Sequence, residues 1–230
     1  ELGYLSQVVN YLDGNILEIG PLNAPLFWNT GLNVKFFDVL PADKLRDKAV
    51  SWGLKPEGVP HRIDFISPTG KLDVIDDKFS CVYSSHVIEH QPDLVRHFQK
   101  VERLLKVGGI YVLAIPDKRY CFDHFNKESD VADVLTAYAE KRKFHTLDSL
   151  LAASCRTHNN PVQHWHGDHG EREMITRDIY DAVVEKYQKA VQEGQYLDVH
   201  AWRYTPHNLR EILVNLLQGG FIQLKIREIY

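Results

Sequence analysis

The sequence predicts an α/β fold in which helices cover both faces of a mainly parallel, twisted sheet. Short apolar runs rich in β-branched and aromatic residues alternate with segments whose apolar residues recur at helical spacing. A length of 230 residues with 44% hydrophobic content suffices for one sizeable core. We therefore expect a single domain over residues 1–230.

The first half of the chain contains the strand and helix repeats. Five apolar runs are the predicted strands: 15–19, 33–38, 61–64, 80–84 and 109–115. A weak helical pattern covers residues 41–51, and a loop rich in glycine and proline covers residues 52–60. A stronger helix begins after Pro92, a good first-turn residue, and is expected to end at Gly108 and Gly109.

This alternation of strands and helices ends after the fifth predicted strand. Residues 117–200 are polar, aromatic and rich in histidine, with one helical pattern around residues 175–190. We expect this region to be an α-rich insertion that shapes a substrate site. Residues 201–230 are expected to return to the sheet, with a helix that begins at Thr205-Pro206 and a strand over residues 221–229.

Composition and charge exclude several classes of protein. The net charge of −4 and the absence of a dominant basic segment argue against a nucleic-acid partner. Three widely spaced cysteines favour a reducing compartment, and no apolar run reaches the roughly 20 residues that span a bilayer, so we expect a cytoplasmic protein. Because the chain begins at Glu1 and its one methionine is Met174, we expect a processed or excised piece.

The most informative motif is Ile16–Gly20, a buried-strand pattern that ends in an acid, an apolar residue and a glycine. Asp38 follows Gly20 by 18 positions (38 − 20) and closes a second apolar run, where a carboxylate can hold a ribose. The loop at residues 21–25 contains two prolines and lacks the further glycines that cradle a diphosphate. These features favour an adenosine cofactor without a diphosphate, S-adenosylmethionine.

Four segments in this order carry a resemblance to a known family: Leu17–Gly20, Asp38, Ser84–His90 and Leu104–Pro116. Together they resemble the Rossmann-like S-adenosylmethionine-dependent methyltransferases, in the broad group that includes bacterial sugar and small-molecule methyltransferases. The resemblance covers residues 15–116, the expected cofactor-binding core. Residues 116–124 and 202–206 also resemble pieces of bacterial members whose substrates are unknown or polysaccharide-related.

The resemblance implies a set of cofactor-binding residues at the carboxyl ends of the strands: Glu18, Gly20, Pro21, Asn23, Asp38, Asp64, Phe65, Ser85 and His86. The first four would face the methionine half of the cofactor, and Asp38 would accept hydrogen bonds from both ribose hydroxyls. Asp64 and Phe65, just after the third predicted strand, would contact adenine. Ser85 and His86 would lie under the sulfonium and the transferred methyl.

The resemblance implies methyl transfer to an oxygen, less readily a nitrogen, of a small molecule or a glycan, with a role in polysaccharide biosynthesis. The leaving group is a neutral thioether, so the rate depends mainly on placement of the reactants. A hydroxyl acceptor also needs a base. The candidate bases lie on loops after predicted strands or in the histidine-rich region, with His124 preferred: His124, His86, Asp117, Asp123 and His166.

Two other functions stay open at this stage. The string His164-x-His166-x-Asp168-His169 matches the ligands of metallo-β-lactamase-like hydrolases, in which imidazoles and a carboxylate hold Zn²⁺ and activate water. Those hydrolases place the string after an apolar strand, whereas polar Thr157–Asn160 precedes it here, so we assign no metal ligands. The second is a non-catalytic cofactor-binding module of a larger enzyme.

Overall fold

The computed structural model describes residues 14–28 and 30–229. The chain divides into two compact units. The sheet unit comprises the described residues of Glu1–Val87 together with Lys100–Ala114. The helical unit comprises Ile88–Gln99 and the described residues of Ile115–Tyr230.

The sheet unit contains a parallel sheet. Its strands are β1 (Asn15–Ile19), β2 (Asn33–Asp38), β3 (Phe65–Ile66), β4 (Phe79–Ser85) and β5 (Leu105–Ala114). All neighbouring strands run parallel, and their order in space is β3-β2-β1-β4-β5. The predicted α/β class and the mainly parallel sheet are therefore confirmed.

Both faces of β1 are buried, as expected for a central strand of a parallel sheet. Leu17 packs in one core cluster with Val101 of helix α2 (Leu94–Leu104). Ile16, on the other face, packs in a second cluster with Phe27. Helix α1 (Ala42–Ser51) buries Leu45 and Ala49 in a third cluster, which contains Phe36 of β2. Helices therefore cover both faces of the sheet, and polar groups reach solvent at the ends of the strands.

Two element boundaries differ from the prediction. Strand β3 lies at Phe65–Ile66 and not at residues 61–64, because pairing with β2 decides the position of so short a strand. Strand β5 already begins at Leu105, so the two glycines at 108 and 109 lie within it and do not end α2. Gly108 has φ of 77°, and the pairing register of β4 with β5 shifts next to it, so these glycines mark an irregularity in the strand.

The remaining helices belong to the helical unit: α3 (Val131–Ala139), α4 (Leu147–Ala153), α5 (Pro161–Trp165), α6 (Arg177–Glu193) and α7 (Pro206–Gln218). Short 3₁₀ turns lie at Pro56–Gly58, Leu72–Val74, Ile88–His90 and Lys118–Tyr120. Helix α7 begins as predicted, because the Thr205 side chain accepts a hydrogen bond from the Asn208 N–H in a capping box. Helix α2 begins after Asp93, whose carboxylate accepts from the Arg96 N–H.

The predicted strand over residues 221–229 does not form within the described part of the chain. Its apolar residues alternate as in a strand, but a strand also needs a neighbour that supplies the ladder of hydrogen bonds. Among the described residues, the sheet contains β1 to β5 and none of residues 221–229. The description of residues 117–200 as an insertion stays a prediction. Among the residues that the structure describes, no helix is both long and apolar enough to cross a membrane.

Candidate functional site

The site predicted from the sequence lies at the carboxyl edge of the sheet unit. Ile19 is in register with Phe37 of β2 on one side and with Ser84 of β4 on the other. Gly20, Asp38 and Ser85 are therefore level with one another on three adjacent strands. Since neighbouring strands lie about 4.8 Å apart, the two outer residues flank the glycine across roughly 10 Å. The strand order reverses at β1, and ligands of open α/β sheets bind at such a point.

Glu18 holds the loop that follows β1. Its side chain is 2% exposed, and its carboxylate accepts hydrogen bonds from the N–H groups of Leu26 (2.7 Å) and Phe27 (3.2 Å). Burial raises the pKa of Glu18 to about 7, against the opposing effect of these two hydrogen bonds. Glu18 therefore acts on the predicted cofactor loop by fixing its far end.

Gly20 is required by both conformation and space. Its φ of 69° is the left-handed region that favours glycine, and an added Cβ would lie 2.9 Å from Cγ2 of Val87. Its N–H donates to the Phe37 carbonyl at 2.9 Å, which extends the ladder between β1 and β2 by one residue. The backbone thus turns sharply at the end of β1 and leaves no side chain over the edge.

The turn that contains Pro21 and Asn23 is covered by a second loop. The Ala24 N–H donates to the Pro21 carbonyl at 3.1 Å and closes the turn. A Cβ at Gly58 would overlap the Asn23 carbonyl oxygen, so the two backbones are in direct contact. This contact between residues 35 positions apart (58 − 23) holds the turn in place from outside.

Asp38 is buried at the end of β2, with 8% of its surface exposed. Its Oδ1 accepts hydrogen bonds from the N–H groups of Val39 (2.7 Å) and Leu40 (3.2 Å). These bonds orient the carboxylate and stabilise its charged form. The carboxylate that was predicted to bind ribose is thus held in place by the chain that follows it.

The two predicted adenine contacts, Asp64 and Phe65, both have partners within the protein. Asp64 precedes β3, and its carboxylate accepts from the Phe36 N–H (2.9 Å) and pairs with Arg62. Phe65 packs its ring against the core cluster around Leu17, because strand residues alternate between the faces of the sheet. Ile66 lies on the opposite face, in register with Asp38, and is 41% exposed. Sequence reasoning missed Ile66, since the predicted strand ended before it.

Ser85 and His86 end β4 on the other side of Gly20. The His86 N–H donates to the Ala114 carbonyl at 3.0 Å, and His86 has φ of 53°, which is unusual for a residue other than glycine. Such a conformation costs about 1–2 kcal/mol, and strained residues of this kind cluster at functional sites. The His86 side chain is exposed at the edge that also carries Gly20 and Asp38.

The other candidate bases lie in the helical unit, and the structure gives each a local partner. Asp117 binds Arg119 through both carboxylate oxygens, with contacts of 2.6 to 3.0 Å. Nδ1 of His166 lies 2.8 Å from the Val162 carbonyl on the exposed end of α5. The His124 ring stacks on that of His169, with ring centroids 3.7 Å apart.

The helical unit also brings together a pair that sequence spacing could not indicate. Nδ1 of His200 lies 2.5 Å from Oδ2 of Asp123, and both residues are buried. Burial raises the pKa of Asp123, but the hydrogen bonds from His200 and Asn126 outweigh burial and leave this pKa lowered. The His90 ring lies 4.7 Å from the His200 ring, edge to face. A carboxylate that orients an imidazole is the usual arrangement of a histidine base.

The His164 to His169 string does not gather as a set of metal ligands. The Asp168 carboxylate accepts from the Gly170 N–H at 3.1 Å, and both His166 and Asp168 are exposed. His164 and His169 instead group with His124. In the folded chain, His124 therefore groups with His164 and His169, whereas His166 and Asp168 do not. His124 lies 40 positions before His164 in the chain (164 − 124).

Comparisons with known proteins agree with the class predicted from the sequence. A family model described as a methyltransferase domain matches residues 38–113. The matched segment, about a third of the chain, is a methyltransferase domain in sequence and contains β3, β4 and most of β5 of the parallel sheet. The class predicted from the sequence is confirmed. No curated protein matches the chain significantly.

Solved structures with weak similarity carry methyltransferase names. One is an S-adenosylmethionine-dependent methyltransferase from Clostridium acetobutylicum (21% identity, TM-score 0.39, covering 55% of this chain and 52% of that one). Another is the CcbJ methyltransferase from Streptomyces caelestis (19% identity, TM-score 0.38, covering 54% and 50%). A third is a putative sarcosine dimethylglycine methyltransferase from Galdieria sulphuraria (14% identity, TM-score 0.37, covering 80% and 58%). The matches span about half the length of the first two structures.

Proposed function

We propose that this protein transfers a methyl group from S-adenosylmethionine to an oxygen of a small molecule or glycan. The observation that carries the proposal is the alignment of Gly20, Asp38 and Ser85 at the switch point of the sheet. The metal-dependent hydrolase is not favoured, since His166 and Asp168 lie apart from the grouped imidazoles.

The residues at the edge of the sheet fit S-adenosylmethionine. Gly20 lets the backbone turn sharply against Val87, which any Cβ at this position would meet. Asp38 offers an oriented carboxylate to the ribose hydroxyls, and Ile66 beside it offers an exposed apolar side chain to the adenine ring. Pro21 at the turn contributes no N–H, which suits a cofactor without a diphosphate.

The chain has to position the acceptor and take up its proton. S-adenosylmethionine, when bound, supplies a sulfonium methyl whose loss leaves a neutral thioether, so no protein acid is needed. We propose His86 as the base, because it lies on the same edge as the cofactor residues. His200, oriented by Asp123, is the second candidate. His124, the first choice from the sequence, stays a prediction.

A sugar acceptor is supported by aromatic residues of the helical unit. The Trp165 side chain is 70% exposed, and its ring lies 5.0 Å from that of Tyr120. Exposed aromatic faces of this kind stack on the apolar face of a sugar ring. The role in polysaccharide biosynthesis rests on this feature and on the resemblance of residues 116–124 and 202–206.

Calorimetric titration with S-adenosylhomocysteine tests the cofactor assignment. Asp38→Asn keeps an oxygen that can accept from Val39 and Leu40 but removes the charge, so we expect affinity to fall at least about tenfold. Asp47→Asn is the matched control, since it removes an exposed carboxylate of α1 in the same unit. Equal affinities of wild type and Asp38→Asn would refute the assignment of Asp38 to the ribose.

A further inference from the structure

The helical unit contains a group of three histidines, of which only His124 has a predicted role, as a base. His124 follows the turn at Lys118–Tyr120, His164 lies on α5, and His169 lies on the loop after α5. Ring nitrogens of all three lie within 4.8 Å of one another. His164 is 1% exposed, so at least one imidazole is buried in the protein. Such a group of buried and half-buried imidazoles needs a physical explanation.

Backbone hydrogen bonds decide which ring nitrogens are available as ligands. Nδ1 of His124 lies 2.8 Å from the Arg119 carbonyl, and Nε2 of His164 lies 3.0 Å from the His158 carbonyl. A carbonyl oxygen only accepts, so these two nitrogens carry hydrogen. In the neutral rings, Nε2 of His124 and Nδ1 of His164 therefore carry the lone pairs, and that of His164 is directed at Nδ1 of His169. Metal-binding histidines show this same arrangement, with the second nitrogen bonded to a carbonyl.

The spacing of the remaining nitrogens fits a metal ion. Nδ1 of His164 lies 3.0 Å from Nδ1 of His169. Two imidazole nitrogens on one tetrahedral Zn²⁺, at bond lengths of about 2.0–2.1 Å, are about 3.3 Å apart. A small displacement of one ring would therefore admit the ion between them.

We propose that His124, His164 and His169 bind one Zn²⁺ ion. Three neutral imidazoles are a common ligand set for zinc, and they leave a fourth position for water or a substrate oxygen. The ligands of this site all belong to the helical unit, whereas the proposed cofactor residues belong to the sheet unit. The site also differs from the ligand string that the sequence suggested, because His124 replaces His166 and Asp168.

The surroundings of the three histidines support the proposal. The hydroxyl of Thr157 donates to the His169 carbonyl and fixes the loop that carries this ligand. A Cβ at Gly170 would lie 2.6 Å from Cδ2 of His158, so the loop packs closely against the neighbouring ring. Nε2 of His158 is buried and has no hydrogen-bond partner among the described residues. A buried polar atom of this kind indicates that a further group, such as a metal-bound water, completes the site.

A second group with metal-binding residue types is less suitable. Glu89, His90 and His200 also gather their potential ligand atoms. However, Nδ1 of His200 is engaged by Asp123 at 2.5 Å, and Nδ1 of His90 by Asp198 at 3.0 Å. We assign this group no ion, because His200 and Asp123 already form the pair proposed as the second candidate base.

Titration of the chelator-treated full chain with ZnCl₂ tests the proposal. We expect one Zn²⁺ per chain and a loss of affinity of about a hundredfold or more in His169→Gln, which removes a half-buried ligand. His166→Gln is the matched control: it lies in the same string, but its imidazole is exposed and lies apart from the group. It should bind zinc as the wild type does.

Two further measurements distinguish the loss of a zinc ligand from the loss of folding. His124→Gln should lose zinc affinity as His169→Gln does, while the circular dichroism spectra of both variants match the wild type. Co²⁺ in place of Zn²⁺ should show the visible absorption of a tetrahedral nitrogen site. The proposal is overturned if the wild type binds no zinc, or if His166→Gln weakens binding as much as His169→Gln.

Discussion

The buried carboxyl of Glu18 makes the stability of the sheet unit depend on pH. The unfolded chain releases this proton near pH 4.5, whereas the folded chain keeps it until about pH 7, the pKa raised by burial. Between these values the folded state binds more protons, so the free energy of unfolding falls as pH rises. The stabilisation is fully present below pH 4.5 and is lost as pH rises through about 7.

The size of this effect follows from the shift. One pKa unit corresponds to about 1.4 kcal/mol, so a rise from 4.5 to about 7 gives a change on the order of 3 kcal/mol. The side chain is 2% exposed, so solvent screening does not reduce it much. Glu18→Gln stays neutral at every pH and keeps an oxygen for one of the two loop N–H groups, a change that is the same at every pH.

Urea unfolding of the wild type and of Glu18→Gln, at several values of pH, measures the effect. The difference in unfolding free energy between the two proteins should shift by about 3 kcal/mol in favour of the variant as pH rises from 4.5 to 7. Glu57→Gln, which changes an exposed carboxylate of the same unit, should lack this shift. A carbon-13 titration in which the Glu18 carboxyl ionises near pH 4.5 would refute the reasoning.

Two more predictions concern the edge of the sheet. Gly20→Ala should destabilise the fold by about 2–3 kcal/mol in urea unfolding, from the left-handed backbone and the contact with Val87. In the double variant Gly20→Ala/Val87→Ala, only the part of the destabilisation that comes from the steric contact should be recovered. If the free-energy changes of the two single variants simply add, the contact with Val87 is contradicted. His86→Gln should lower S-adenosylhomocysteine release from a panel of sugars and small alcohols about a hundredfold, with His207→Gln, an exposed histidine, unaffected. If only His200→Gln lowers it, His86 is not the base.

Each residue at the edge of the sheet has its own structural function, which explains why the sequence motif is short. Glu18 fixes the loop, Gly20 makes the turn, and the N–H of Gly20 ties β1 to β2 beside Asp38. Each of these functions needs one residue type at one place in a strand or just after it. A few residues at fixed spacing can therefore specify the edge.

The sequence by itself determined the α/β class, the end of β1 and the acid that ends β2, because these depend on local patterns. A buried parallel strand needs a continuous apolar run, and the turn after it needs a residue that adopts positive φ. The match of residues 38–113 to a methyltransferase domain agrees with the predicted class and includes Asp38, but it does not extend to the end of β1.

Only the tertiary structure decided the parts that depend on contacts between distant residues. Strand β3 takes its register from β2, which buries Phe65 and exposes Ile66 beside Asp38. Residues 221–229 alternate as a strand does, yet they join no strand of the sheet. The partners of His124 and His200 likewise lie far along the chain, at His164 and Asp123. Local spacing carries no information about such pairs, because packing of the whole chain brings them together.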